Sequence, residues 1–201
     1  MGKTTGISDH HRRSIRMAGY DYGSEGGYFV TIVTYDRKFL FGKIYDGEMV
    51  LNNFGRIVMG EWFRTQQIRP NIELFEDEFV VMPNHIHGII WIVKQKFGLT
   101  HSEYLNTKSF STVGAHCMRP GAYDNTPLRS TSQTLGAILR GFKGIVTKRI
   151  NDLRGTPGLP VWQRNYYEHI INSEKDYYAI SEYIINNPAG WEKDSEFLSP
   201  P

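Results

Sequence analysis

The stretch Val80-Val81-Met82-Pro83-Asn84-His85-Ile86-His87-Gly88-Ile89-Ile90-Trp91-Ile92-Val93 constrains the fold more than any other part of the chain. It reads as the end of one strand, a tight turn at Met82-Pro83-Asn84, and a second strand rich in Ile, Val and Trp. Side chains alternate faces along a strand, so His85 and His87 point one way and Ile86 the other. Two imidazoles on one face, two positions apart, can grip a single metal ion, and neutral imidazole is a common metal ligand. A His-x-His pair is also a frequent accident of sequence. Its meaning therefore depends on a third ligand and a reactive group elsewhere in the chain.

The rest of the chain narrows the setting. A length of 201 residues suits one domain with a substantial core. The formal net charge of +2 is small, so any argument for a nucleic-acid partner must come from local clustering. The lone cysteine, Cys117, excludes an internal disulfide and a thiolate metal cluster. No apolar run approaches the roughly 18 residues that cross a bilayer, and the basic N-terminus lacks the apolar core of a signal peptide. The expectation is a cytoplasmic protein with no membrane partner.

Residues 1–27 are polar, Gly-rich and locally basic, with His10, His11, Arg12, Arg13 and Arg16 close together. They read as an extended arm that either contacts phosphates or is merely solvated. Tyr28 to Thr34 reads as a strand. Residues 35–54 suggest a short hairpin or loop excursion through Gly42, Gly47 and Asn52-Asn53. From Gly55 to about Gln67, Ile57, Val58, Trp62 and Phe63 recur at helical spacing, and Pro70 ends the helix. Ile72 to Val81 reads as a second core strand, and His85 to Val93 as a third, antiparallel to it.

Residues 94–130 lack periodicity and read as a long connection. Thr131 to Leu153 is a strong helix, with Leu135, Ile138, Leu139, Phe142, Val146 and Ile150 on one stripe. Arg140 and Lys148 lie away from that stripe and Lys143 at its edge, a basic face that suits either a nucleic-acid backbone or plain solvation. Val161 to Ile171 reads as a fourth strand. Ser173 offers a helix N-cap with Glu174 and Asp176 in the first turn, and the last helix runs to about Asn187, where Pro188 stops it. Strand, helix, strand, strand, helix, strand, helix opens with the βαββαβ order of the ferredoxin-like fold, an α+β antiparallel sheet, followed by an extra C-terminal helix.

On that last helix Tyr183 and Asn187 are four apart and share a face. An amide oxygen suits Mg²⁺ or Mn²⁺, and a tyrosine hydroxyl beside it can attack an electrophile. Tyr at helical spacing from Ile180 and Ile184 equally suits a core position, and Tyr166, Tyr167, Tyr177 and Tyr178 compete as nucleophiles. His169 suits either assistance to the nucleophile or a structural hydrogen bond. Trp162, Gln163 and Arg164 are residue types that could stack on or read bases if the partner is a single strand.

These segments together resemble the single-tyrosine HUH transposases, in particular the REP-associated tyrosine transposases. The resemblance rests on Arg13-Ser14-Ile15-Arg16 with Gly19-Tyr20-Asp21-Tyr22, on Tyr28-Phe29-Val30-Thr31, and on Met82-Pro83-Asn84-His85-Ile86-His87-Gly88. It continues through Trp162-Gln163-Arg164 with Glu168-His169-Ile170-Ile171, and Glu182-Tyr183-Ile184-Ile185-Asn186-Asn187-Pro188. The blocks follow the family's order from residue 13 to 191; the segment 94–130 is longer than in many relatives. The resemblance implies a catalytic domain over 28–191, with a tail at 192–201. It implies metal ligation by His85, His87 and Asn187, with Mg²⁺ or Mn²⁺ as cofactor, and Tyr183 as nucleophile. The implied substrate is single-stranded hairpin DNA of the REP type, nicked and rejoined through a 5′-phosphotyrosine, in a protein associated with the nucleoid when bound. Arg12, Arg13, Arg16, Arg140, Lys143 and Lys148 are the candidates for phosphate contacts. A homodimer stays open, as dimers occur among relatives. So do a domesticated hairpin binder that no longer cuts and a metal-dependent RNA phosphodiesterase.

Overall fold

Strand β1, Gly26–Val33, is buried along almost its whole length, so both its faces must be covered. Strand β6, Gly88's strand, His85–Ile92, is buried at all eight positions. The two pair antiparallel in a register that sets Thr31 opposite His87 and Val33 opposite His85. A computed structural model of the chain describes residues 21–93 and 133–193. The other elements in chain order are the hairpin β2 (Gly42–Tyr45) and β3 (Glu48–Leu51), helix α1 (Asn53–Ile68), β4 (Ile72–Glu73), β5 (Phe79–Val81), helix α2 (Leu135–Arg154), β7 (Tyr167–Ile171) and helix α3 (Glu174–Asn186).

β1 lies between β6 and β7, and the far edge of β6 carries β4 and β5. All the pairings are antiparallel. Counting β4 and β5 as one interrupted strand, the topology is the ferredoxin-like arrangement expected from the element order. Tyr28, Val30, Ile32, Ile86, Ile90 and Ile92 face one side and build the larger core with Val58 and Trp62 of α1 and the whole predicted stripe of α2. Phe29, Ile89 and Trp91 face the other, where Tyr177 and Ile184 of α3 cover them. Strict alternation then places His85 and His87 under α3, because they share parity with Ile89 and Trp91.

The helices begin and end for local reasons. Asn52 caps α1 by accepting from the Phe54 and Gly55 amides, and Thr134 caps α2 through the Ala137 amide. Gly155, at φ 67°, closes α2 in the left-handed conformation that glycine adopts without strain. The Glu61 carboxylate, only 3% exposed, is paired with Arg149 of α2 and Arg64. That joins the two helices across their interface.

Two expectations needed correction. The strand expected over 72–81 is broken into β4 and β5 by a 3₁₀ turn at Glu76–Glu78. The cause is Glu78, which turns inward to accept a hydrogen bond from Trp91 Nε1 at 2.7 Å. The strand expected over 161–171 starts only at Tyr167, preceded by a single bridge between Thr34 and Trp162. Trp162 is buried against Phe41 and Phe142, so it is a core residue and no platform for bases. The calls on residues 1–20, 94–132 and 194–201 lie outside the described residues.

Gly88 marks how closely α1 approaches the sheet. A Cβ there would lie 2.6 Å from Trp62 Cζ2 and 2.9 Å from Phe79 Cδ2, where those two rings stack at 4.5 Å. Gly88→Ala is expected to lower the unfolding free energy by about 1–3 kcal/mol through overpacking. The check is a lower urea midpoint at unchanged m-value.

Candidate active site

Alternation in β6 and helical periodicity in α3 bring three of the expected residues together. His85 Nε2 and His87 Nε2 lie 2.9 Å apart, and the Tyr183 hydroxyl lies 3.1 Å from His87 Nε2. Both imidazoles are buried, whereas Tyr183 is 42% exposed, so the phenol reaches from solvent onto a sheltered pair. Phe29 supports the cluster from below, stacked on His87 and edge-on to Tyr183.

The other nitrogen of each ring is fixed by a neighbour. His85 Nδ1 lies 2.8 Å from Asn84 Oδ1, and an amide oxygen only accepts, so Nδ1 carries the proton and Nε2 presents its lone pair. His87 Nδ1 lies 2.8 Å from Thr31 Oγ1 on the facing strand, at the register position opposite it. Orienting partners of this kind fix the tautomer and direction of metal-binding histidines. Two lone pairs facing each other at 2.9 Å repel unless a proton or a cation lies between them. Nitrogens bound to one ion at about 2.1 Å and at a right angle are about 3.0 Å apart, so the pair has the spacing of adjacent metal ligands.

Among the described residues, no group of three or more His, Cys, Asp and Glu side chains is gathered to hold a metal. A further protein ligand would have to be of another type, and the amide of Asn187 is the expected one. Asn187 is buried at the C-cap of α3, one turn beyond Tyr183. It lines the same groove of about 380 Å³ as Tyr183, together with Glu182, Asn186 and Lys193.

The remaining expected residues lie elsewhere. His169, on β7, turns Nε2 to both carboxylate oxygens of Asp176 at 2.9 and 3.1 Å and so ties β7 to the first turn of α3. Arg140, Lys143 and Lys148 belong to α2, on the opposite side of the sheet from the imidazoles. Lys143 donates to the backbone carbonyls of Gln163, Arg164 and Asn165, at 2.6 to 3.3 Å, and burial lowers its pKa to about 8. It thereby shapes the loop before β7. Lys148 pairs with Asp152 on the same helix. The backbone N–H of Gln163 donates to the Val33 carbonyl. Arg12, Arg13 and Arg16 lie outside the described residues.

Sequence reasoning missed Thr31, Asn84 and Trp191. The Trp191 ring lies 5.8 Å from that of His85 and closes the cluster on the far side from Phe29. Asn84 was legible only as a turn residue and Thr31 only as a strand former.

No family model matches the chain. A solved structure, that of a REP-associated tyrosine transposase bound to a REP hairpin, is similar with a TM-score of 0.49 at 18% identity, over 89% of this chain and 74% of that one. A protein of Haemophilus influenzae described as uncharacterized is 42% identical over 191 residues, which is 94% of each chain. At that identity and coverage, the chain belongs to the same family as the Haemophilus influenzae protein.

Proposed function

We propose that the chain is a DNA nicking and rejoining enzyme that attacks a phosphodiester of single-stranded hairpin DNA with Tyr183. The observation that carries this reading is the contact of the Tyr183 hydroxyl with His87 Nε2, beside a second imidazole at ligand spacing. The ordered motifs shared with single-tyrosine HUH transposases support it independently. In this reading His85, His87 and Asn187 would hold Mg²⁺ or Mn²⁺. A bound cation of this kind polarises the nonbridging phosphate oxygens and stabilises the leaving oxygen.

The chain's own groups do the rest. Asn84 and Thr31 hold the imidazoles in place, and Phe29 holds the phenol over them. Attack forms the Tyr183 Oη–P bond and breaks the P–O3′ bond. The phenolic proton is lost and the departing 3′-oxygen gains one. The products are a 5′-phosphotyrosine and a free 3′-OH. A second 3′-OH attacking that linkage reverses the step and rejoins strands without ATP. Tyr183 reaches His87 within the same chain, which supports an attack in cis.

The test is incubation of the protein with single-stranded hairpin oligonucleotides and Mn²⁺ or Mg²⁺, followed by denaturing electrophoresis. A covalent protein–DNA band is expected. Cleavage with no adduct would replace the reading with a hydrolase, and tight hairpin binding with no cleavage would replace it with a binding module. Thr31→Val removes the partner of His87 Nδ1 and is expected to weaken Mn²⁺ binding about 10–100-fold in calorimetric titration.

A further inference from the structure

Ring contacts continue beyond the cluster in both directions. Phe39 lies edge-on to Trp191 at 5.7 Å, Trp191 lies 5.8 Å from His85, and His85 lies 4.4 Å from His87. Past His87 the row continues through Phe29 at 5.5 Å to Tyr167 at 6.2 Å. Its middle is buried: Phe29 and Trp191 are each 7% exposed. Its ends are open: Phe39 is 38% exposed and Tyr167 49%. Each end ring therefore keeps surface open to a ligand.

Each end is tied to one imidazole by the residue that orients that imidazole. Asn84 accepts from His85 through Oδ1 and donates through Nδ2 to the Arg37 carbonyl, two residues before Phe39. The next turn of that segment is held by the Phe41 amide on the Pro83 carbonyl. At the other end, Tyr167 is the register partner of Thr31, whose hydroxyl contacts His87. Antiparallel partners project to the same face, so Tyr167 stands on the same side of the sheet as the imidazoles. The groove beside Tyr183 adds a cation, Lys193, at the Trp191 end.

We infer that Phe39 and Tyr167 are base-stacking platforms on either side of the scissile phosphate, so that a single strand crosses the site along this row. The inference rests on the proposed function and extends it by assigning the strand's path. Exposed rings at both ends, a polar site between them and a cation alongside suit an alternation of bases and phosphates. Stacking tolerates any base, since every base has a π-face. The platforms are therefore positioning residues for flanking nucleotides and carry no chemistry. A duplex keeps its bases stacked on each other and cannot use them.

The test uses the full chain and a fluorescein-labelled single-stranded oligonucleotide of about 12 nucleotides, within the usual site sizes, in EDTA so that no cleavage intervenes. A second set of the same oligonucleotides carries 2-aminopurine on one or the other side of the cut. Phe39→Ala and Tyr167→Ala are each expected to weaken binding about tenfold. Each should relieve 2-aminopurine quenching on one side only, and the two sides should differ. Tyr167→Phe and Phe39→Tyr should retain both affinity and quenching. Alanine variants that bind as tightly as the parent would overturn the proposal. So would a Tyr167→Phe protein as weak as Tyr167→Ala, because the hydroxyl and not the ring would then matter. A parent protein that binds and quenches but forms no tyrosine adduct with Mn²⁺ would sink the nicking reaction while leaving the strand path standing.

Discussion

Tyr183→Phe is expected to abolish the covalent protein–DNA adduct and to lower single-strand cleavage by at least about 10³-fold, since the nucleophile itself is removed. The fold should hardly notice. The side chain is 42% exposed, and the ring that remains keeps its edge contact with Phe29. Stability should therefore stay within about 0.5 kcal/mol of the parent. Mn²⁺ binding should persist as well, because both imidazoles and their partners are untouched. The same experiment on Tyr167→Phe and Tyr178→Phe provides the contrast. Both side chains are exposed tyrosines, one on β7 and one on α3, and neither is the proposed nucleophile, so their adducts should form normally. An adduct surviving in Tyr183→Phe, mapped to another tyrosine, would remove the central claim.

The candidate residues of this site were more legible in the sequence than the residues that support them. Alternation alone puts His85 and His87 on one face, and helical spacing alone relates Tyr183 to Asn187, because both periodicities are properties of a single element. Whether the strand and the helix meet is a tertiary question, and the motif resemblance answered it where periodicity could not. Thr31 shows the boundary. Its role depends on the register between β1 and β6, separated by 56 positions in the chain, and a slip of one residue would turn it to the other face. Trp162 shows the opposite error. An aromatic beside Gln and Arg reads as a base platform, yet the bridge to Thr34 turns it into the core between Phe41 and Phe142. The basic residues of α2 lie on the other side of the sheet from the imidazoles for a similar reason. Their stripe was read correctly, but no local signal says which face of the sheet a helix will cover.

Glu78→Ala is expected to lower the unfolding free energy by about 2–4 kcal/mol, from an orphaned buried donor plus a cavity. Glu78 is 1% exposed and accepts from Trp91 Nε1 at 2.7 Å. The same carboxylate stands beside Tyr177 of α3, where burial and its charge push the phenol well above the usual tyrosine range. Trp91 and Tyr177 in turn lie ring to ring at 5.9 Å. This buried group, together with Ile184, holds down the helix that carries Tyr183. The consequence reaches beyond stability. Displacement of a reacting group by about 1 Å can cost about 10²-fold in rate, so adduct formation should slow even far below the melting temperature. Glu78→Gln keeps an acceptor for Trp91 and should fall between parent and alanine variant in both measurements. Urea denaturation and single-turnover adduct formation at low temperature separate the two effects. An alanine variant with the parental midpoint would show that α3 is held by its apolar contacts alone, and that the interruption between β4 and β5 has another cause.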